Sequence, residues 1–228
     1  MSDKKIYFIH QPKCAGSTIV NFINGCNNPN WITFSGGDHH HRLNETDKSN
    51  FANGDCYISN IRNPFTFYAS LFTFESFKQN RRLKRRGKKT FVQEWEKNYT
   101  LKIKAFKDWM IKIHLPENLP EIITKYNFGV FTHSVIRYWF LDDPIFFKNE
   151  FYENHNENYI ISDFMKVESL KTDIERIFSQ ESIILPTKNK SRGFGSNSKD
   201  ENYMDLYDSE LINLVETRDD YIFRKFYQ

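Results

Sequence analysis

Cysteine is scarce: Cys14, Cys26 and Cys56 are the only three in 228 residues, an odd number at irregular spacing. That pattern supports neither a disulfide framework nor a zinc site, and it fits a reducing compartment. Long apolar runs are missing as well. None approaches the roughly 18 consecutive apolar residues of a membrane span, and the opening residues hold no apolar signal core. A soluble, cytoplasmic chain without a membrane span is therefore expected. Charge of one sign is also lacking: the net charge is only +3, so recognition of an anion must be local and not a property of the whole surface. No internal repeat or linker interrupts the chain, which points to one domain over residues 1–228.

What is abundant is aromatic. With 22 Phe, 12 Tyr and 4 Trp the chain can bury a substantial core despite its many Asn and Lys residues, so disorder over most of its length is excluded.

The most informative stretch comes first. Ile6-Tyr7-Phe8-Ile9 is a β-branched and aromatic run. It reaches His10-Gln11-Pro12-Lys13-Cys14-Ala15-Gly16-Ser17-Thr18, and apolar residues then return at helical spacing in Ile19, Val20, Phe22 and Ile23. Strand, tight loop, helix is the expected order. Free N–H groups at a helix start, with the positive end of the helix dipole, make an anion site, and Lys13 adds a full charge at its entrance. The order differs from G-x-x-x-x-G-K-[ST] of nucleoside triphosphate loops, because the lysine precedes the small residues.

A second feature lies at Asp55 to Ser70. An apolar strand, Cys56-Tyr57-Ile58-Ser59-Asn60-Ile61, ends in Arg62-Asn63-Pro64, and a helix holding Ser70 follows, with proline at its first turn. A guanidinium at a strand's carboxyl end grips phosphate bidentately, and a serine further along the helix adds a directional donor. Taken separately, Arg62 reads equally well as a structural salt bridge and Ser70 as a quiet helix residue.

Together the two stretches resemble the sulfotransferases that use 3′-phosphoadenosine 5′-phosphosulfate (PAPS), especially the carbohydrate-sulfotransferase branch. The first matches the loop H-x-P-K-[TC]-[AG]-[GS]-[TS]-[ST], and the second matches R-[DN]-P with a serine eight positions after the arginine. The resemblance implies a single α/β domain with a mainly parallel central sheet flanked by helices and a phosphate-binding strand-loop-helix at the N-terminus. It implies PAPS as donor, PAP as product, no metal requirement, and a hydroxyl acceptor, most naturally a carbohydrate; no nucleic-acid partner is expected. Lys13 would stabilise the leaving phosphate, with N–H groups from Cys14, Ala15, Gly16, Ser17 and Thr18 holding the 5′ end. Arg62 and Ser70 would select the 3′-phosphate, and the loop Pro186 to Gly195, with Ser191 and Arg192, would close over it. Many members of the family are membrane-anchored, and this chain departs from them. Two other classes remain open: a nucleotide kinase or hydrolase with an atypical phosphate loop, and a non-catalytic binder of anionic glycan or nucleic acid.

Three adjacent histidines, His39, His40 and His41, follow Asp38. Metal ligation, general-base chemistry and a merely solvated loop are all open readings. The resemblance places a catalytic base near here, with His39 or His40 as candidates. Seven basic residues lie between Arg81 and Lys89. They read as a solvated segment or as a surface for an anionic acceptor.

Elsewhere the periodicity predicts an amphipathic helix over Ala105 to His114, leaves Gly129 to Phe140 ambiguous between strand and helix, and predicts a strand over Tyr159 to Phe164. A helix from Lys171 to Phe178, capped by Glu168 or Ser169, and helical spacing between Tyr203 and Tyr227 complete the pattern.

Overall fold

In a computed structural model that describes residues 4–34, 43–85, 98–140, 159–179, 185 and 202–228, every strand lies in one parallel sheet flanked by helices. The described elements are β1 (Ile6–Ile9), α1 (Gly16–Gly25), β2 (Trp31–Thr33), α2 (Glu45–Ala52), β3 (Cys56–Ile61), α3 (Pro64–Arg85), α4 (Tyr99–Ile113), α5 (Glu121–Tyr126), α6 (Val130–Trp139), β4 (Ile161–Lys166), α7 (Leu170–Phe178), α8 (Ser209–Arg218) and α9 (Asp220–Phe226). The chain divides into two compact units, Met1–Arg62 with His133–Asn189 and Asn63–Thr132 with Lys190–Gln228.

The first unit holds the whole sheet, in the order β2-β1-β3-β4. Ile6 pairs with Trp31 on one side and with Cys56 on the other, and Tyr57 pairs with Ile161. A parallel sheet must be covered on both faces, and the alternation of side chains shows how. On one face Phe8, Ile58 and Met165 meet Ile19, Phe22 and Ile23 of α1 and Ile174 and Phe178 of α7. On the other, Tyr7 and Tyr57 stack with centroids 4.8 Å apart, and Trp139 donates its indole N–H to Ser59 Oγ at 2.8 Å. Helix α2 was not foreshadowed by apolar spacing. Its signal is the capping box Asn44 to Asp47, and Asp47, buried, then accepts the Tyr57 hydroxyl at 3.0 Å. Ser169, one of the two expected caps, stands at the N-cap of α7, but its hydroxyl donates to the Asp173 carboxylate and makes no bond to the helix backbone.

Because β1 leads through α1 to β2 on one side, and the chain returns through α2 to β3 on the other, the strand order reverses between β1 and β3. The carboxyl ends of those two strands flank the crevice where ligands collect in open parallel sheets.

The second unit is helical. Asn63 accepts the Phe65 N–H at 3.0 Å and Pro64 opens α3, as the sequence predicts. The apolar stripe of α4 is real, with Phe106 and Met110 fully buried. The ambiguous segment is α6, whose residues from His133 onward belong to the first unit: Phe131, Val135 and Trp139 are all buried at a spacing of four, and the helical period wins.

At the centre of this unit is a closed polar knot. Asp219 Oδ1 accepts the Thr132 N–H and hydroxyl at 2.8 and 2.7 Å, and Asp219 Oδ2 accepts the Tyr68 hydroxyl at 2.7 Å. The Tyr68 oxygen also lies 3.2 Å from His114 Nε2 and receives the Phe131 N–H at 3.3 Å, while His114 Nδ1 meets the Met110 carbonyl at 2.8 Å. Gly129 is fixed by this knot, since a Cβ there would fall 2.3 Å from the Asp219 carboxylate. Burial pushes Asp219 up to about 6 against the pull of its hydrogen bonds and lowers His114.

Candidate anion site at the carboxyl ends of β1 and β3

Strand β1 delivers the chain to Gln11, and α1 begins at Gly16, so the intervening residues must reverse direction within five positions. They do so through left-handed backbone at Lys13 and Ala15, with φ of 63° and 61°. Each such residue costs roughly 1–2 kcal/mol for a side chain other than glycine, so the shape must be held by its surroundings.

Two of the five N–H groups expected to face an anion are occupied. Cys14 donates to the Gln11 carbonyl at 3.4 Å and Thr18 to the Ala15 carbonyl at 2.9 Å. The N–H groups of Ala15, Gly16 and Ser17 meet no protein acceptor among the described residues. Three successive free donors at the start of a ten-residue helix, beside left-handed residues, form a concave nest with partial positive charge. Gly16 is required there. A Cβ would fall 1.8 Å from Cδ2 and 2.0 Å from Nε2 of His10, whose ring lies against it. Ser17 is exposed and Thr18 and Lys13 are half-buried, which leaves the cradle accessible.

The carboxyl end of β3 fastens this loop. Asn60, fully buried, accepts the Gln11 N–H at 2.8 Å and donates to the Gln11 carbonyl at 3.3 Å and to the Cys14 carbonyl. Two residues on, Arg62 donates to the Lys13 carbonyl at 3.0 Å. Gln11 itself is fully buried. Its Nε2 bonds Ser134 Oγ at 2.7 Å, while its Oε1 finds no donor among the described residues.

The Cys14 thiol is fully buried beneath the loop, and burial pushes its pKa well up, opposed by the nearby Arg62 and reinforced by Glu168. Desolvation outweighs the helix dipole, which by itself would favour the thiolate. Cys14 fills space.

Of the other expected site residues, Ser70 lies on α3 in the second unit, half-buried. His39, His40, His41, Ser191 and Arg192 lie outside the described residues. Arg81, Arg82, Lys84 and Arg85 are exposed at the end of α3, and the rest of the basic run is also outside the described residues. Among the described residues no group of three or more His, Cys, Asp or Glu side chains forms a metal site, and no helix is long and apolar enough to cross a membrane. Asn60 and Gln11 were missed by motif reading. Their signal was an amide residue inside, or directly after, an otherwise apolar strand, where a buried polar group must find partners.

No family model matches the chain, and neither a curated protein nor a solved structure matches it.

Proposed function

We propose that the chain is a PAPS-dependent sulfotransferase acting on a hydroxyl, most naturally of a carbohydrate. The observation that carries this reading is the nest of free Ala15, Gly16 and Ser17 donors beside Lys13, at the reversal point between β1 and β3. Those groups suit the 5′ end of the donor: a cradle for phosphate and sulfate oxygens, and an ammonium to offset charge arising on the phosphate. The donor supplies the sulfuryl group. As its sulfur–oxygen bond to phosphate breaks, a new one forms to the acceptor oxygen, and the acceptor proton passes to a base, for which His39 and His40 are the candidates. Positioning and electrostatics supply the catalysis, as in phosphoryl transfer. The roles of Ser70, Ser191 and Arg192 in holding the 3′-phosphate belong to this reading through the sequence alone.

The test is transfer of label from sulfur-labelled PAPS to a panel of glycans, phenols and peptides. Labelled glycan is expected, and Lys13→Ala should lower turnover roughly 10²–10³-fold while PAP affinity changes far less. No transfer to any acceptor, together with thermal stabilisation by ATP and none by PAP, would replace this reading by a nucleotide kinase or hydrolase.

A further inference from the structure

A peptide group's C=O and N–H point in opposite directions when the bond is trans, and the described chain contains no cis bond. Whatever captures a loop carbonyl therefore also aims the following N–H the other way. In the loop after β1 the Cys14 carbonyl is captured by Asn60, and the N–H of the same peptide is that of Ala15, the first free donor of the nest. The preceding carbonyl, of Lys13, is captured by Arg62. Asn60 also locks the entrance to the loop, through both the N–H and the carbonyl of Gln11. Both N–H groups and the carbonyl oxygen of its amide are thereby engaged by loop backbone.

We infer that Asn60 is the positioning residue of the anion loop, holding Lys13 and Ala15 in the left-handed form that leaves the Ala15, Gly16 and Ser17 donors free of protein acceptors among the described residues. Several features of the chain support an active hold. Lys13 and Ala15 carry side chains, so their conformation is not the one that an unconstrained loop adopts. A fully buried amide near the carboxyl end of a parallel strand costs stability unless its polar groups are bonded, and here the partners are loop backbone and not another strand. Ser59, the adjacent residue, serves the opposite purpose. Its hydroxyl donates to the Ile9 carbonyl and takes the Trp139 N–H, which ties strand to strand and helix. On the proposed sulfotransferase reading, Asn60 acts on catalysis only through the loop and touches neither donor nor acceptor.

The experiment compares the full chain with Asn60→Asp, which keeps the acceptor for Gln11 but turns two donors into an acceptor facing two carbonyls. Backbone amide resonances of Ala15, Gly16 and Ser17 are followed by NMR without ligand, and PAP affinity is measured by calorimetry. The expected result is displacement of those three resonances, with the rest of the sheet unchanged, and a PAP affinity at least tenfold weaker. Unmoved resonances, or wild-type PAP affinity in the variant, would overturn the inference. If wild-type protein does not bind PAP, the donor reading fails while the loop resonances still decide the role of Asn60. Should Asn60→Asp not fold, Asn60→Ser, which shortens the side chain and keeps one hydroxyl, carries the same comparison.

Discussion

The two polar clusters of this protein face opposite problems. In the second unit, Asp219, Tyr68, Thr132 and His114 bond one another and the backbone, and all four are buried. In the first unit, Asn60 captures the Cys14 carbonyl and Arg62 the Lys13 carbonyl, and the Ala15, Gly16 and Ser17 N–H groups that follow meet no acceptor among the described residues. A closed cluster spends its hydrogen bonds on specifying the fold. An open one leaves donors that only a ligand or water can meet, which is why the loop and not the knot is read as the site.

This contrast is sharpest where a single methyl group is added. Gly129→Ala drives a Cβ into the Asp219 carboxylate; a loss of roughly 3 kcal/mol or more is expected in urea unfolding, with the PAP affinity of the folded protein unchanged. A neutral stability effect would show that the knot is not tightly closed.

Acidity tests the knot from another side. Asp219, raised from 3.8 to about 6 in the folded state, binds more protons folded than unfolded between those values. Its contribution therefore favours the fold at low pH and is lost as pH rises from about 4 to about 6, by about 3 kcal/mol in total. The geometry supports this: protonated Asp219 can donate to Tyr68, Tyr68 to His114 Nε2, and His114 Nδ1 to Met110. His114, lowered from 6.5, acts with the opposite sign, since its stabilisation is lost as pH falls below the unfolded value. Asp219→Asn should therefore leave a stability that only rises with pH through this window. An unchanged profile would remove Asp219 from the account.

The same methyl addition in the open cluster should divide the effects differently. Gly16→Ala meets the His10 ring and is expected to cost roughly 1–3 kcal/mol and to weaken PAP binding at least tenfold, with partial recovery in His10→Ala/Gly16→Ala. Failure of the double variant to recover either property would show that the glycine serves some other constraint. The smallest effect concerns thiols. Iodoacetamide should label the half-buried Cys26 and Cys56 of the native chain and spare the fully buried Cys14 until the protein is unfolded. Rapid labelling of Cys14 would place it in the open cluster.

How much of this was legible in the sequence follows from which interactions are local. The strand and helix around the Lys13 loop, the start of α3 at Pro64 and the apolar stripe of α4 are written in spacing and capping residues, and they stand where the pattern placed them. Position in the sheet was not legible for Asn60, because its partners are 46 and 49 residues away. The knot was equally silent. Asp219 meets Tyr68 across 151 residues, and no local signal distinguishes a buried carboxylate from a solvated one. The orientation of loop donors depends on φ at Lys13 and Ala15, which residue type alone would have argued against.

The most direct measurement is an NMR titration of the isotope-labelled full chain with PAP. The amides of Ala15, Gly16 and Ser17 should move most and saturate together, with the Lys13 side chain following. Saturable PAP binding that leaves those three amides in place would contradict the assignment of the loop as the donor site.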